Sequence, residues 1–161
     1  MNMILEIKKY PDPVLKKKAE KVEEITPEIK ELIFNMKETL GPKRGVGLAA
    51  PQVGVSKKII VVRTKNKLMA FINPEIIKRS FRKISDTEGC FSFPGLWLKI
   101  KRAKTIKVKA LNEEGKEVFI DAQNFLAMVF QHEIDHLNNV LFFERLGFFQ
   151  RIKVKQDLNK S

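Results

Sequence analysis

Cysteine and histidine are nearly missing from this chain: its 161 residues include one Cys and two His. The single cysteine, Cys90, excludes an internal disulfide and fits a reducing compartment. Taken alone, it reads as a small buried hydrophobe. Long apolar runs are missing too, and none approaches the ~18 residues of a membrane-spanning helix. The opening stretch, MNMILEIKKYPDPVL, lacks the apolar block and small-residue cleavage site of a secretion signal. It also lacks the Arg/Ser-rich, acid-poor character of an organelle transit sequence, so a cytosolic protein is expected. There is no internal repeat, low-complexity tract or dividing linker, which points to one domain with its own core.

Acidic residues are in short supply: 31 Lys and Arg face 19 Asp and Glu, for a net charge of +12. Lysines occur along the whole chain, with clusters at Lys16–Lys18, Lys99–Lys109 and Arg151–Lys160. Solvated faces account for most of this; attraction to a polyanion such as RNA is the sharper alternative. No aromatic RNA-binding signature accompanies the charge, so sequence-specific nucleic-acid binding is not expected.

The pattern of apolar residues predicts an α+β fold, with antiparallel strands packed around a central helix. A short helix is expected over PDPVLKKKAEKV, capped by Asp12 with Pro13 at its first position. A second is expected over TPEIKELIFNMKETLG, capped by Thr26, with Ile29, Leu32, Ile33, Met36 and Leu40 on one face and Gly41-Pro42 as its stop. Strands are expected over residues 57–64, over KLMAFI up to an Asn73-Pro74 turn, and with an irregular bend over IIKRSFRKI. Two alternating runs around Asn112–Gly115 read as a hairpin. AQNFLAMVFQHEIDHLNN reads as a helix with Leu126, Val129 and Phe130 on its apolar face. The tail after it fits a strand or a helix.

Both histidines fall on that last helix, in His132-Glu133-Ile134-Asp135-His136. Four residues separate them, about 6 Å along the axis, so the imidazoles share a face and can converge on one cation. Glu133 is rotated ~100° from His132 and lies beside such a cation. It can therefore take a proton from an activated water without serving as a ligand. This is the physical content of the H-E-x-x-H pattern. A catalytic divalent site usually needs a third protein ligand. The extended H-x-x-G-x-x-H pattern fails at Asn139 and Phe142, and Glu144 lies ~12 Å further along a continuous helix. A distant carboxylate or Cys90 remains. Cys90 sits in TEGCFSFPG, where Gly89 and the Pro94-Gly95 turn imply a tight backbone at a strand end. A thiolate with two imidazoles suits Fe²⁺, Zn²⁺, Co²⁺ or Ni²⁺ rather than Mg²⁺ or Ca²⁺.

The third informative stretch is GPKRGVGLAAPQVG. GVGLAA satisfies G-x-G-x-x-A, but it follows a helix and Pro51 interrupts any helix it could open, so the dinucleotide reading fails. A plain flexible loop is one reading. The other is a rigid edge along which a peptide approaches the backbone closely, with the Gln52 amide donating to a developing oxyanion.

Together, GVGLAAPQ (45–52), EGCFS (88–92) and QHEIDH (131–136) closely resemble the three motifs of the peptide deformylases, in the same order and at similar spacing. The resemblance covers nearly the whole chain. It implies removal of the formyl group from N-formylmethionyl nascent peptides in a bacterial cytoplasm, with release of formate. By motif match, Cys90, His132 and His136 would hold the metal, most often Fe²⁺. Glu133 would be the general acid/base, with Gln52 and the backbone N–H of Phe91 stabilising the oxyanion. Val46, Gly47 and Gly89 would hydrogen-bond the substrate backbone, and Met128, Val129 and Glu88 would help wall the methionine pocket. Arg102 stands where relatives pair an arginine with the motif glutamate, Glu88. In two departures, Phe91 replaces the usual leucine, and Trp97 stands where some members carry a substrate-holding arginine.

Two rival readings have their own discriminators. A metalloprotease of the H-E-x-x-H kind would not need Cys90 as a ligand. A basic RNA- or ribosome-binding module with a structural metal would need a fourth protein ligand, and the chain has no further Cys or His. Transient ribosome docking through Arg151, Lys153, Lys155 and Lys160 is compatible with an enzyme.

Overall fold

A computed structural model describes residues 2–161. Three α-helices and seven strands, all in antiparallel pairings, are found among the described residues. The α+β expectation holds.

Helix α1, Pro27–Leu40, begins and ends as its sequence dictates. The Thr26 hydroxyl accepts a hydrogen bond from the Ile29 N–H, Pro27 fills the first turn, and Gly41 closes the last one. Ile33, Met36 and Leu40 are buried on its inner face. Strands β1 (Gly47–Ala49), β2 (Ile59–Thr64), β3 (Lys67–Arg79), β6 (Thr105–Leu111) and β7 (Glu117–Gln123) form one sheet in the order β1-β2-β3-β6-β7. Strands β4 (Lys83–Cys90) and β5 (Phe93–Ala103) form a separate hairpin. Helix α2, Asn124–Leu137, packs against the large sheet and also touches β5. Every residue from Ala127 to Leu137 is buried, the polar ones included. Burial on all sides is what a central helix requires. It goes beyond the single apolar face the sequence implied.

Four expectations need correction. The predicted first helix shrinks to a 3-10 turn at Pro13–Lys16, which Asp12 does cap. Beyond it the chain is extended, because Ala19 N–H donates to the Leu137 carbonyl and Glu20 N–H to the Ser56 carbonyl. These distant partners replace the helix's own hydrogen bonds. Asn73-Pro74 is not a turn: β3 runs through it with a register shift between Ile72 and Glu75. Asn73 takes a positive φ of 51° there, and its amide exchanges two 2.8 Å hydrogen bonds with the Val22 backbone. The hairpin turn beside Cys90 is at Phe91-Ser92, and Pro94-Gly95 lies inside β5 as an irregularity in the pairing. The alternating run 97–111 is broken at Lys104, where the chain leaves the hairpin for the large sheet.

The undecided tail is a helix, α3, Phe148–Lys160, none of whose residues is buried. Val154 and Leu158 rest on a small cluster that includes Leu15, Phe93, Phe142 and Phe143. No helix among the described residues is long and apolar enough to cross a membrane.

Candidate metal centre and cleft

Three segments far apart in sequence meet at one place. Helix α2 contributes His132, Glu133 and His136, and the end of β4 contributes Cys90. A 3-10 turn at Ala50–Val53, following β1, carries Gln52. Ligand atoms of Cys90, His132 and His136 all lie within 4.8 Å of one another. Cys90 Sγ is 3.4 Å from His136 Nε2, and the two imidazole centroids are 5.2 Å apart. Glu144 takes no part: its carboxylate accepts a 2.6 Å hydrogen bond from the Leu141 N–H.

The buried charges around this cluster orient its donors. Arg102 grips Glu88 with two hydrogen bonds, Nε to Oε2 at 2.6 Å and Nη2 to Oε1 at 2.9 Å. Burial pushes the Glu88 carboxyl up, but His132 and Arg102 outweigh it and hold the group below its ordinary value. Glu88 is therefore a carboxylate, and the Nδ1–H of His132 donates to it at 2.8 Å. That bond fixes the tautomer and leaves Nε2 for a cation. Burial disfavours charge on His132. Even so, the Cys90 sulfur, Glu88 and Glu133 raise its pKa to about 10. His136 moves the other way: burial, then the charges of His132 and Arg102, drive it well below an ordinary imidazole. It is a neutral donor with a lone pair available.

Glu133 is buried, and its Oε2 has no hydrogen-bond partner among the described residues. Burial, with Glu88 adding to it and His132 and Arg102 opposing it, raises its pKa to about 7. A Cβ on Gly47 would come 2.6 Å from Glu133 Oε1, so only glycine lets β1 pass this carboxylate. Gln52 is fixed at both ends of its amide. Its Oε1 accepts from the Ala49 N–H at 2.9 Å, and its Nε2 faces Cys90 Sγ at 3.4 Å and Ser92 Oγ at 3.3 Å.

The remaining predicted residues surround this centre unevenly. Phe91 is half-buried, and its ring occupies the space that a side chain on Gly45 would need. Gly89 pairs with Trp97 across the hairpin, and a Cβ on Gly89 would meet the indole at 2.5 Å. Trp97 itself remains 69% exposed, in keeping with an aromatic that covers a glycine rather than fills a core. Val46 is half-buried, and its carbonyl accepts from the Arg63 N–H. Met128 and Val129 are buried on α2, Val129 within the main core cluster. The Glu88 carboxylate is committed to Arg102 and His132. Three participants had no distinctive signal in the sequence: Ser92, Asp135 and Arg145. Asp135 lies inside the helix motif itself, but its partners are 33 residues upstream at Arg102 and 10 residues downstream at Arg145.

One cysteine sulfur, one imidazole whose Nδ1 is held by Glu88 and one neutral imidazole converge next to a carboxyl group that has an oxygen unpartnered among the described residues. This donor set fits a borderline-soft divalent cation and leaves a coordination position open.

Residues 4–151 match the family described as polypeptide deformylase. A peptide deformylase from Halothermothrix orenii is 54% identical over 145 residues, covering 89% of this chain and 94% of the relative. One from Thermodesulfovibrio yellowstonii is 48% identical over 153 residues, 92% of each chain. Among solved structures, the Thermotoga maritima peptide deformylase superposes with a TM-score of 0.88 at 41% identity, covering 91% of this chain and all of that one. The Ehrlichia chaffeensis peptide deformylase in complex with actinonin gives 0.90 at 37% identity, covering 99% and 98%.

Proposed function

This chain belongs to the polypeptide deformylase family, and we propose that it hydrolyses the formamide bond of N-formylmethionyl nascent peptides, releasing formate and a free amine. The observation that carries this reading is the meeting of Cys90, His132 and His136 beside the unpartnered Glu133 carboxylate.

Cys90, His132 and His136 would hold one divalent ion. Fe²⁺ is the expected metal, and Zn²⁺, Ni²⁺ and Co²⁺ suit the same donors. When bound, such an ion supplies Lewis acidity, which acidifies water and polarises a carbonyl.

The chain's own groups do the rest. Glu133 accepts a proton from the attacking water and returns it to the departing amine nitrogen. A carboxyl whose pKa is raised to about 7 can do both near neutrality. The Gln52 Nε2–H₂, held by the Ala49 contact at its other end, donates to the carbonyl oxygen as negative charge develops. The Phe91 backbone N–H is assigned as the second donor. Val46, Gly47 and Gly89 are assigned to the peptide backbone, and Met128, Val129 and Glu88 to the wall of the methionine pocket.

The test is formate release from a formyl-Met peptide by anaerobically purified protein, with elemental analysis of the same sample. Glu133→Ala is expected to retain its metal and lose ~10²–10⁴ in rate. Cys90→Ala is expected to lose the metal itself. An active Glu133→Ala enzyme would overturn the mechanism, and unchanged metal content in Cys90→Ser would favour the protease reading.

We also propose that Arg151, Lys153, Lys155 and Lys160 on α3 dock the enzyme transiently on ribosomal RNA. Lys153, Lys155 and Lys160 are exposed on this helix and Arg151 is half-buried, an arrangement that supports the reading. Deleting α3 should flatten the salt dependence of ribosome binding, and an unaltered dependence would refute it.

A further inference from the structure

His132 stands at the end of a continuous chain of charged groups that reaches the surface. Glu88 Oε1 accepts from His132 Nδ1 at 2.8 Å. Arg102 spans two carboxylates, Glu88 through Nε and Nη2 and Asp135 Oδ2 through Nη1 at 2.8 Å. Asp135 in turn accepts twice from Arg145, Nη2 to Oδ1 at 2.6 Å and Nε to Oδ2 at 2.9 Å. The side chains of Glu88, Arg102 and Asp135 are 8%, 3% and 6% exposed, whereas that of Arg145 is 42% exposed.

Arg145 balances the charge of this group. Without it, two buried carboxylates compete for the single guanidinium of Arg102. An uncompensated buried carboxylate is costly. Arg102 would then be drawn toward Asp135, loosening its two-point grip on Glu88. With Arg145 present the set is neutral, and each carboxylate has a two-point partner of its own. Arg145 lies in the 3-10 turn Phe142–Arg145, between α2 and α3, outside all three motifs of the cleft.

We propose that Arg145 and Asp135 are positioning residues for the metal ligand His132, acting through Arg102 and Glu88. This inference rests on the reading of Cys90, His132 and His136 as a metal site. It does not depend on which amide is hydrolysed. Partners that orient a ligand imidazole from behind contribute roughly 10–100-fold to metal affinity or activity.

The two readings of this chain of contacts predict different results. A purely stabilising ion pair would lower the melting temperature and leave the metal's surroundings alone. A positioning chain alters the metal's surroundings in the folded protein. The test uses cobalt-loaded full-length protein, with Arg145→Gln, Arg145→Lys and Asp135→Asn beside the unaltered chain. The readouts are the cobalt d–d spectrum, the rate of cobalt loss to a chelator, and kcat and KM on a formyl-Met peptide. Arg145 is half-exposed, so its variants should fold. Asp135→Asn preserves shape and removes the charge.

Arg145→Gln is expected to shift the spectrum, release cobalt about 10-fold faster and lower kcat with KM unchanged. Arg145→Lys, which keeps the charge without the fork, should fall between it and the unaltered protein. Unchanged spectrum and release rate in both Arg145→Gln and Asp135→Asn would overturn the proposal, whatever their melting temperatures. Variants that change cobalt release in a protein unable to release formate would support it and overturn the deformylase reading alone.

Discussion

At the residue scale, the proposed chemistry depends on where two groups sit: the Glu133 carboxylate and the imidazole of His132. Gly47 is what lets Glu133 occupy its position. A methyl group there would meet Oε1, Cγ and Cδ of Glu133 at 2.6–2.9 Å. Displacing a reacting group by about 1 Å can cost on the order of 100-fold in rate. Gly47→Ala is accordingly expected to bind metal normally and to lose on the order of 100-fold in kcat, checked by metal analysis and steady-state kinetics together. His132 makes a second prediction, on pH. Its pKa is raised to about 10 without a cation, so near neutrality the ring carries a proton that a cation must displace. Zn²⁺ added to metal-free protein at pH 7.5 should therefore release protons, seen in a weakly buffered indicator solution. Metal affinity should fall as pH falls. Proton-free binding would show that His132 is not a ligand. The two histidines and Glu133 were legible in the sequence because their spacing falls within one helix. Ser92, Asp135 and Arg145 were not, because their roles lie in partners that only folding supplies.

At the scale of elements, sequence patterns were readable wherever backbone hydrogen bonds stay local. Helix α1 carries its own cap, first-turn proline and stop, and its limits match. The segment after Pro13–Lys16 was misread as helix because its hydrogen-bond partners are Ser56 and Leu137. The break at Lys104 was invisible because the strands on both sides alternate in the same way, and only pairing with β4 or β3 separates them. Asn73 misled for a related reason. Asn-Pro is a common turn signal, yet here the asparagine bends a strand and ties it to Val22. Asn73→Ala would lose two hydrogen bonds of roughly 1 kcal/mol each and strain a left-handed backbone by about 1 kcal/mol. A loss of about 3 kcal/mol in denaturant unfolding is expected. A loss below roughly 0.5 kcal/mol would mean that Asn73 does not pin this segment.

At the scale of the whole molecule, the fold brings together groups that the sequence keeps apart. Gln52 and Cys90 are 38 residues apart, and Cys90 and His136 are 46 apart. A helix buried on every side holds two imidazoles still, and the β4–β5 hairpin carries the sulfur to them. Half of the centre was thus visible as a local motif. The other half could be recognised only because three separate stretches together matched a known family. The net charge of +12 is spread over the whole chain. It bears on which partners the protein meets, not on the chemistry inside.

The proposed chemistry requires one sulfur and two imidazole nitrogens to share a single ion that keeps room for a small oxygen ligand. X-ray absorption at the zinc edge of zinc-loaded protein tests it directly. One sulfur at about 2.3 Å, two nitrogens at about 2.0–2.1 Å and one further light atom near 2.0 Å are expected. A spectrum with no sulfur in the coordination shell would contradict it.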